Sequence, residues 1–587
     1  MNTIVSLVQF ATPKRIIRLV SKEYAKYVAK KPKPKKKKPE DKPQKQEDPF
    51  KNDVLYQTLR PMMPPHRLWS NPGRGRLPRE AESGPAKWSK RKNNATARIY
   101  WAILKNKDRY PDASWAVALN KFVKEIRDII SGKAPLSIET PEILAKFKEQ
   151  DPDTGDYIYR PICKYKDIRT KIILALAYQY LVTGFDRFFH KDMLFMRSAR
   201  KDLWGHFKVP NYLDAIDIVA GYREEHFRES IWVGECDIQK FYDIFNHDVI
   251  RECFQDLFHT AKNNGGNVDF SPMERIIDAY LDSYSFPRDI LGKNADGKFW
   301  ASQVRLWKKK NGLSEADKEP VCRFKWVKED AFVSMGCYSA EDFADARDHG
   351  KLGIPQGGAL SGIIVNVVMR MVDKPLVEKA DPERLFIRYC DDILLMHTSR
   401  IKCREYLDTY YNQLLRYRLV PHPRKDVSSF KQGKNGRKTG RAFWKAKSKN
   451  VYYWGPGPGD ASDWVPFVGY EMRRTGEVRI RKDKMDAEFK RIAKRYWDVY
   501  YSKTALLGSA ASDEDRQEQM ERFDKLAPHI LNYEKAFNNR YTRAQAVALD
   551  NYLYKKARKI AWHLGIEDTK KAAKERATYL DALKKGE

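Results

Sequence analysis

The sequence predicts an α+β fold, and three features carry that reading. From about residue 156 to 250, apolar helical stretches alternate with short β-prone runs. In the segment Leu385–Met396 (LFIRYCDDILLM), Asp391 and Asp392 sit between two apolar β-prone runs, the pattern of a hairpin with acid at its turn. From about residue 481 the pattern turns helical: Met485, Phe489, Ile492, Tyr496 and Val499 share one face, and Ala546, Leu549, Leu553, Ala557, Ile560 and Leu564 repeat the logic.

Taken in order, residues 1–50 read as an N-terminal helix followed by a basic linker. Ile4–Val28 has helical apolar spacing interrupted at Pro13; Glu23 and the lack of a cleavage signature favour a docking helix over a transit peptide. The run Lys30–Lys38 (KKPKPKKKK) centres a net charge of +9 on residues 1–50, and charge repulsion with fixed proline dihedrals predicts disorder over about 29–50. Residues 51–155 form a helical extension that opens on a Pro/Gly/Arg-rich stretch and turns helical around Trp115–Ile130. Residues 156–480 hold the core, with a polar insertion at about 284–350 and a Lys/Arg/Gly-rich loop at about 426–464. That loop ends in Gly455–Gly459, a turn-rich connector and not a phosphate cradle, because no helix start or GK[ST] follows. Residues 481–587 complete the chain as a helical region.

Composition narrows the function. The 587 residues include 42% hydrophobic ones, enough for a sizeable core, so global disorder is excluded. Seven Cys without a CxxC pair exclude a disulfide scaffold and a Cys-rich zinc module, and favour a reducing, cytoplasmic setting. No apolar run reaches the roughly 18 residues of a membrane span; Ile172–Phe185 is interrupted by Gln179 and Thr183. The net charge is +33, of which +24 lies on residues 51–587, so the body itself attracts polyanions. With 14 Trp and 32 Tyr available for stacking on bases, nucleic acid is the expected partner.

Three segments carry the chemistry. Ile231–Ile250 leads an apolar run toward Asp237 and then Phe241-Tyr242-Asp243, with Asn246 or His247 placed to cap the next helix. Gly353–Met371 is a Gly/Pro turn bearing Gln356, then a helix opening near Ser361. The third is the Asp391–Asp392 hairpin. Adjacent carboxylates at the ends of buried strands are costly unless a cation neutralises them. Mg²⁺ takes oxygen ligands and keeps positions for substrate phosphate. Two such ions about 3.5–4 Å apart can activate a hydroxyl and stabilise a leaving pyrophosphate.

These segments together resemble a reverse transcriptase. Tyr389-Cys390-Asp391-Asp392 resembles the YxDD box, Asp237 with Phe241-Tyr242-Asp243 the DIxxFFD segment, and GIPQGGALSG with Asn366 the PQG turn and helix. Arg160-Pro161-Ile162 resembles the start of the fingers segment, Lys425 in LVPHPRKD the palm lysine, and Phe467-Val468-Gly469-Tyr470 the primer grip. The resemblance implies a right-hand polymerase of fingers, palm with antiparallel sheet, and thumb, with helical N- and C-terminal extensions. It further implies that Asp237, Asp391 and Asp392, with the Ile238 carbonyl as an extra ligand, hold two Mg²⁺ ions, Mn²⁺ being a substitute. Phe241 and Tyr242 would line the nucleotide pocket, Tyr242 as a steric gate against a 2′-hydroxyl; Gln356 would touch sugar and base, Arg160 the triphosphate, and Lys425 the pyrophosphate. Phe467, Gly469 and Tyr470 would hold the primer. Cys390 is expected to pack the hairpin and not to act as a nucleophile.

Two departures stand out. Gly362 takes a place where relatives carry Pro, and Asp237 and Gly353 lie 116 residues apart, which implies a palm insertion. No RNase H, HNH-like or integrase module is evident. The look is closest to bacterial defence-associated (abortive-infection or unknown-group) reverse transcriptases. The expected function is RNA-directed DNA synthesis from dNTPs in antiphage defence, with an RNA template that includes a dedicated noncoding RNA as a candidate, a DNA product, and a protein partner or second copy as a further expectation. The alternatives are template-independent or protein-primed synthesis, a retron- or group II intron-type enzyme, and a non-catalytic RNA-binding scaffold.

Overall fold

The computed structural model describes residues 4–30, 50–69, 87–201, 207–264, 268–311, 319–429, 446–457 and 459–481, with Lys484, Met485 and Ala487. Nearly all of the expected basic linker, the centre of the 426–464 loop and the helices expected over 481–587 lie outside these residues. Among the described residues, no helix is long and apolar enough to cross a membrane.

The N-terminal part is helical. α1 (Leu7–Phe10) opens with a capping box between Ser6 and Gln9. Pro13 marks the expected break: α1 ends at Phe10, and the proline opens α2 (Pro13–Lys30), where a missing N–H costs nothing. Behind it come α3 (Val54–Leu59), α4 (Lys87–Asn106) and α5 (Ser114–Ser131). Asp53 caps α3 by accepting from the Tyr56 N–H (3.0 Å) and takes the Tyr27 hydroxyl as a second donor (2.8 Å), tying α2 to α3.

β1 (Glu142–Gln150) and β2 (Tyr157–Lys164) form an antiparallel hairpin that straddles residue 155, so the expected boundary there falls inside one structural unit. The apolar helix α6 (Ile168–Phe185) follows and packs against α2. A two-residue ribbon, β3 (Arg200–Lys201) with β4 (Phe207–Lys208), precedes α7 (Tyr212–Glu225) and β5 (Trp232–Cys236). Next are α8 (His247–Asn263), α9 (Ser271–Asp282), α10 (Phe286–Asp289) and α11 (Gly297–Asn311), then β6 (Cys322–Phe324), α12 (Glu329–Ser334) and α13 (Ala340–Asp348). The stretch read as an insertion is integral: β6 runs parallel to β2, with Tyr159 opposite Phe324, and completes the hairpin sheet. Trp300 packs on both rings, at 5.1 Å from Tyr159 and 4.9 Å from Phe324.

The central sheet is built from β7 (Arg384–Tyr389), β8 (Asp392–His397), β9 (Arg424–Lys425), β10 (Ser448–Trp454) and β11 (Ala461–Ser462), joined by β5. Its strand order is β11-β10-β5-β8-β7, with β9 beside β10. Successive residues of β8 enter different cores, because side chains alternate across a strand. Ile393 and Leu395 face the core formed with α8, α14 (Ser361–Val377) and α15 (Arg400–Arg416), while Leu394 and Met396 join Ile216 and Val219 of α7 on the other side. A separate three-stranded sheet, β12 (Trp464–Phe467), β13 (Tyr470–Arg473) and β14 (Val478–Ile480), closes that second core.

The start of α8 is tied to the chain just before Gly353. Asn246 caps α8 by accepting from the Val249 N–H at 3.0 Å, which settles the choice between Asn246 and His247. His247 is buried, and its Nε2–H donates to the Gly353 carbonyl at 2.8 Å. Gly353 has φ +93°, and a Cβ there would lie 2.8 Å from Phe286 Cβ and 3.2 Å from the Asp243 carbonyl. Gly353→Ala is therefore expected to destabilise the protein by roughly 2–4 kcal/mol in urea unfolding, from strain and overpacking together. Burial depresses His247 to about 4, below the ordinary value of 6.5. An unfolded His binds a proton that the folded one refuses, so this contribution is present above pH 6.5 and lost as pH falls toward 4. Relative to His247→Gln, the wild type should lose thermal stability across that window, with the gap between the two constant above pH 7.

Candidate active site

The β5–β8 ladder sets the site. Cys236, the last residue of β5, pairs with Ile393, so the next residue, Asp237, lies beside Asp392 at the start of β8. Tyr389 pairs with Asp392 across a two-residue loop, Cys390-Asp391. Cys390 has φ +62°, a left-handed value that a two-residue hairpin loop requires and that usually selects glycine. Its thiol is pushed up by burial and then by the Asp391 charge, so it stays protonated; its Sγ lies 3.7 Å from the Tyr242 hydroxyl. Packing of the hairpin, as expected from the sequence, is what the Cys390 contacts describe.

Asp237 is buried; its N–H donates to Ser448 Oγ (3.0 Å) and its carbonyl accepts from the His422 N–H (2.8 Å). Burial and then the Asp237 charge raise Asp391 above the usual carboxylate range. Asp392 keeps accessible surface, yet it is raised too, by desolvation and then by Asp391 and Asp237. The two carboxylates of the turn thus hold their protons more tightly because acids crowd them, which is the electrostatic mark of a site built for a cation. Within the described residues, no three His, Cys, Asp or Glu side chains are gathered as around an ion. The charge against Asp237 Oδ2 is the Lys447 ammonium, at 2.7 Å. Burial alone would lower Lys447, but Asp237, with Asp392 and Asp391 behind it, holds the ammonium above its ordinary value. Hard oxygen donors, mutually repelling and already drawing in a cation, fit Mg²⁺ or Mn²⁺.

Lys447 escaped the sequence reading because it sits in a Lys/Arg-rich loop where no lysine stands out. Its only signal was its place one residue before β10. Lys425, the lysine singled out from the sequence, lies exposed on β9, opposite Lys449 in the β9–β10 ladder. Lys449 is itself buried, its Nζ 2.6 Å from Glu235 Oε2, and the Tyr452 hydroxyl donates to Glu235 Oε1 at 2.6 Å. This pair of bonds fixes β10, and with it Lys447, against the strand that delivers Asp237. Ile238 forms an isolated bridge with Pro421, and its N–H donates to Asp237 Oδ1 at 3.0 Å.

A second group gathers around Asp243. Gln356 Nε2 donates to Asp243 Oδ1 at 2.8 Å, and the Gln356 carbonyl accepts from the Cys163 N–H on β2 at 2.8 Å. Burial pushes Asp243 up to about 6 against the pull of Lys240, Gln356 and Arg160. Arg160 is exposed on β2, close enough for its charge to bear on Asp243. Lys240, which the sequence reading did not select, has φ +48° and is lowered to about 8 by burial, with Lys148 and Lys325 adding repulsion. Phe241 is buried against Phe245 (4.9 Å), while Tyr242 stays partly open beside Cys390.

Phe467 and Tyr470 pair across a two-residue loop, Val468-Gly469, with φ +42° and +90°. Both residues of a type I′ turn require positive φ, so Gly469 suits its place and Val468 is held there by the hairpin. Phe467 and Tyr470 are buried, and Tyr470 stacks on Tyr212 (6.3 Å), which meets Tyr389 edge-on at 6.4 Å. An aromatic row therefore joins this hairpin to the Asp391–Asp392 turn.

Residues 325–456 match a family model described as reverse transcriptase (RNA-dependent DNA polymerase). No curated protein sequence matches the chain. Among solved structures, apo telomerase from Candida tropicalis aligns at 14% identity over 85% of this chain and 80% of that one, with a TM-score of 0.31. Telomerase from the same organism in complex with a TWJ fragment of telomeric RNA aligns at 13% identity over 81% and 69%, with a TM-score of 0.34. Scores this low lend no weight to the functional argument. The matched stretch contains Asp391, Asp392 and Lys447, and its strands β7, β8 and β10 belong to the central sheet, in which β8 and β10 flank β5: this chain carries a segment similar to the reverse transcriptase family.

Proposed function

We propose that the protein is an RNA-directed DNA polymerase that extends a primer with deoxynucleotides at Asp237, Asp391 and Asp392. The observation that carries this reading is the β5–β8 register, which sets Asp237 beside a hairpin lying inside the matched reverse transcriptase stretch. Asp237, Asp391 and Asp392, with the Ile238 carbonyl, are the residues that would hold two divalent ions. When bound, such ions make the primer 3′-hydroxyl more acidic and offset negative charge on the leaving pyrophosphate.

The chain's own groups do the rest. The 3′-hydroxyl oxygen gives its proton to water and bonds the α-phosphorus while the bond to pyrophosphate breaks. Lys447 sits charged beside Asp237, and with Lys425 on the neighbouring strand it supplies positive charge, and a proton, toward that leaving group. Arg160 binds triphosphate oxygens through a guanidinium fork, and Gln356, held by Asp243, meets the nucleotide sugar. Tyr242 walls the sugar pocket with its ring, and Phe241 backs that wall. Phe467, Gly469 and Tyr470 support the primer end.

The template is read as RNA, gripped by basic surface through phosphate charge and not by base sequence. The narrower reading, antiphage defence on a dedicated noncoding RNA with a protein partner or second copy, is supported by the sequence resemblance alone.

Purified protein supplied with an RNA template, a DNA primer, dNTPs and Mg²⁺ should extend the primer. Extension should vanish with chelator and in Asp391→Ala/Asp392→Ala, a loss of at least about 10³-fold; extension that persists in the double variant would remove the proposed site. Tyr242→Ala should narrow the preference for dNTP over rNTP by about tenfold or more in competition, with dNTP extension largely kept. Equal use of the two by the wild type would contradict the gate.

A further inference from the structure

The Arg388 side chain is fully buried, three residues before Asp391, and its contacts converge on the hairpin turn. Its Nη1 donates to the Cys390 carbonyl at 3.1 Å and reaches Asn366 Oδ1 at 3.4 Å; its Nε donates to Asp373 Oδ2 at 2.7 Å, and Asp373 is as buried as its partner. Asn366 and Asp373 both project from α14. The Asn366 amide in turn donates to the Phe195 carbonyl at 2.6 Å, and Met193 forms an isolated parallel bridge with Arg388 itself. The loop from Phe189 to Ser198 is thereby pinned beside β7. A second buried guanidinium, Arg197, ties the loop together through the carbonyls of Asp186, Phe189, His190 and Met193. Phe195 from this loop packs edge-on against Tyr389 at 5.5 Å.

A buried ion pair is not in itself a source of stability, since apolar residues of similar volume often serve as well. What an apolar replacement cannot supply is the bond to the Cys390 carbonyl, the peptide group between a left-handed residue and Asp391. We propose that Arg388 is a positioning residue: anchored to α14 through Asp373 and Asn366, it holds the Cys390 carbonyl and so fixes the direction in which the Asp391 and Asp392 carboxylates leave the turn. This deepens the polymerase reading and rests on Asp391 and Asp392 being its catalytic pair. Misplacement of such groups by about an ångström can cost on the order of 10²-fold in rate.

The test separates charge neutralisation from positioning. Arg388→Met/Asp373→Leu removes both buried charges, and is expected to melt within a few degrees of the wild type. Its kcat for dNTP incorporation should be at least about tenfold lower, with KM for dNTP within about twofold, and amide hydrogen exchange at residues 389–392 should be faster. A double variant with wild-type kcat and wild-type exchange at the turn would overturn the proposal. Should it fail to fold, Arg388→Lys keeps the charge against Asp373 without the planar fork, and the same kcat loss and faster exchange are expected; wild-type values for both would again overturn it. If the wild type itself incorporates no dNTP, the polymerase reading fails, and exchange at 389–392 alone then decides the role of Arg388.

Discussion

Carboxylates of like sign repel, and the antiparallel pairing of β5 with β8 leaves Asp237 no choice but to neighbour Asp391 and Asp392. Register in a sheet buried on both faces is strongly specified, because a slip of one residue would exchange the sets facing each core. The apolar alternation of Ile393, Leu394, Leu395 and Met396 therefore does more than fill space. It forces the acids together against their electrostatic preference. Much of the surrounding detail answers that cost: a lysine drawn to Asp237, and accessible surface left at Asp392.

The positive charge near the acids is delivered with equal care. Lys447, just before β10, and Lys449, on it, lie two residues apart and meet different carboxylates. One reaches buried Asp237 while staying largely accessible itself, and the other is locked inside with Glu235 and Tyr452. The buried member fixes the strand, and the accessible one is left able to respond to what enters. On the far side of β5, the Gln356–Asp243 bond and the Gln356 carbonyl join the turn before α14 to β2 of the hairpin sheet.

The palm was legible in the sequence because its chemistry is concentrated in short strings: an acid at a strand end, an acid pair at a tight turn, a Gly/Pro turn ahead of an apolar helix. Those strings also located the loop of Val468-Gly469. What the sequence hid were residues whose role depends on a partner far along the chain. Lys447 looks like any other lysine in a basic loop, and it acquires meaning only through the β10–β5 pairing. Lys240 gives no sign in the sequence that its backbone is left-handed. Polarity marked 284–350 as an insertion but did not show how it packs: Trp300 is buried against Tyr159 and Phe324. Pro13 marked the break between α1 and α2, because the same residue that breaks a helix interior begins one well.

The strand Cys322–Phe324 is only three residues long, yet it covers one side of β2. A sheet margin with unspent N–H and C=O groups recruits whatever extended chain it meets. Trimming the polar stretch to obtain a smaller enzyme would bare that margin beside Tyr157 and Tyr159, on the strand that also bears Arg160. The shortened protein would then be inclined to self-associate along that strand, so this segment works as a built-in guard of solubility as much as a piece of the scaffold.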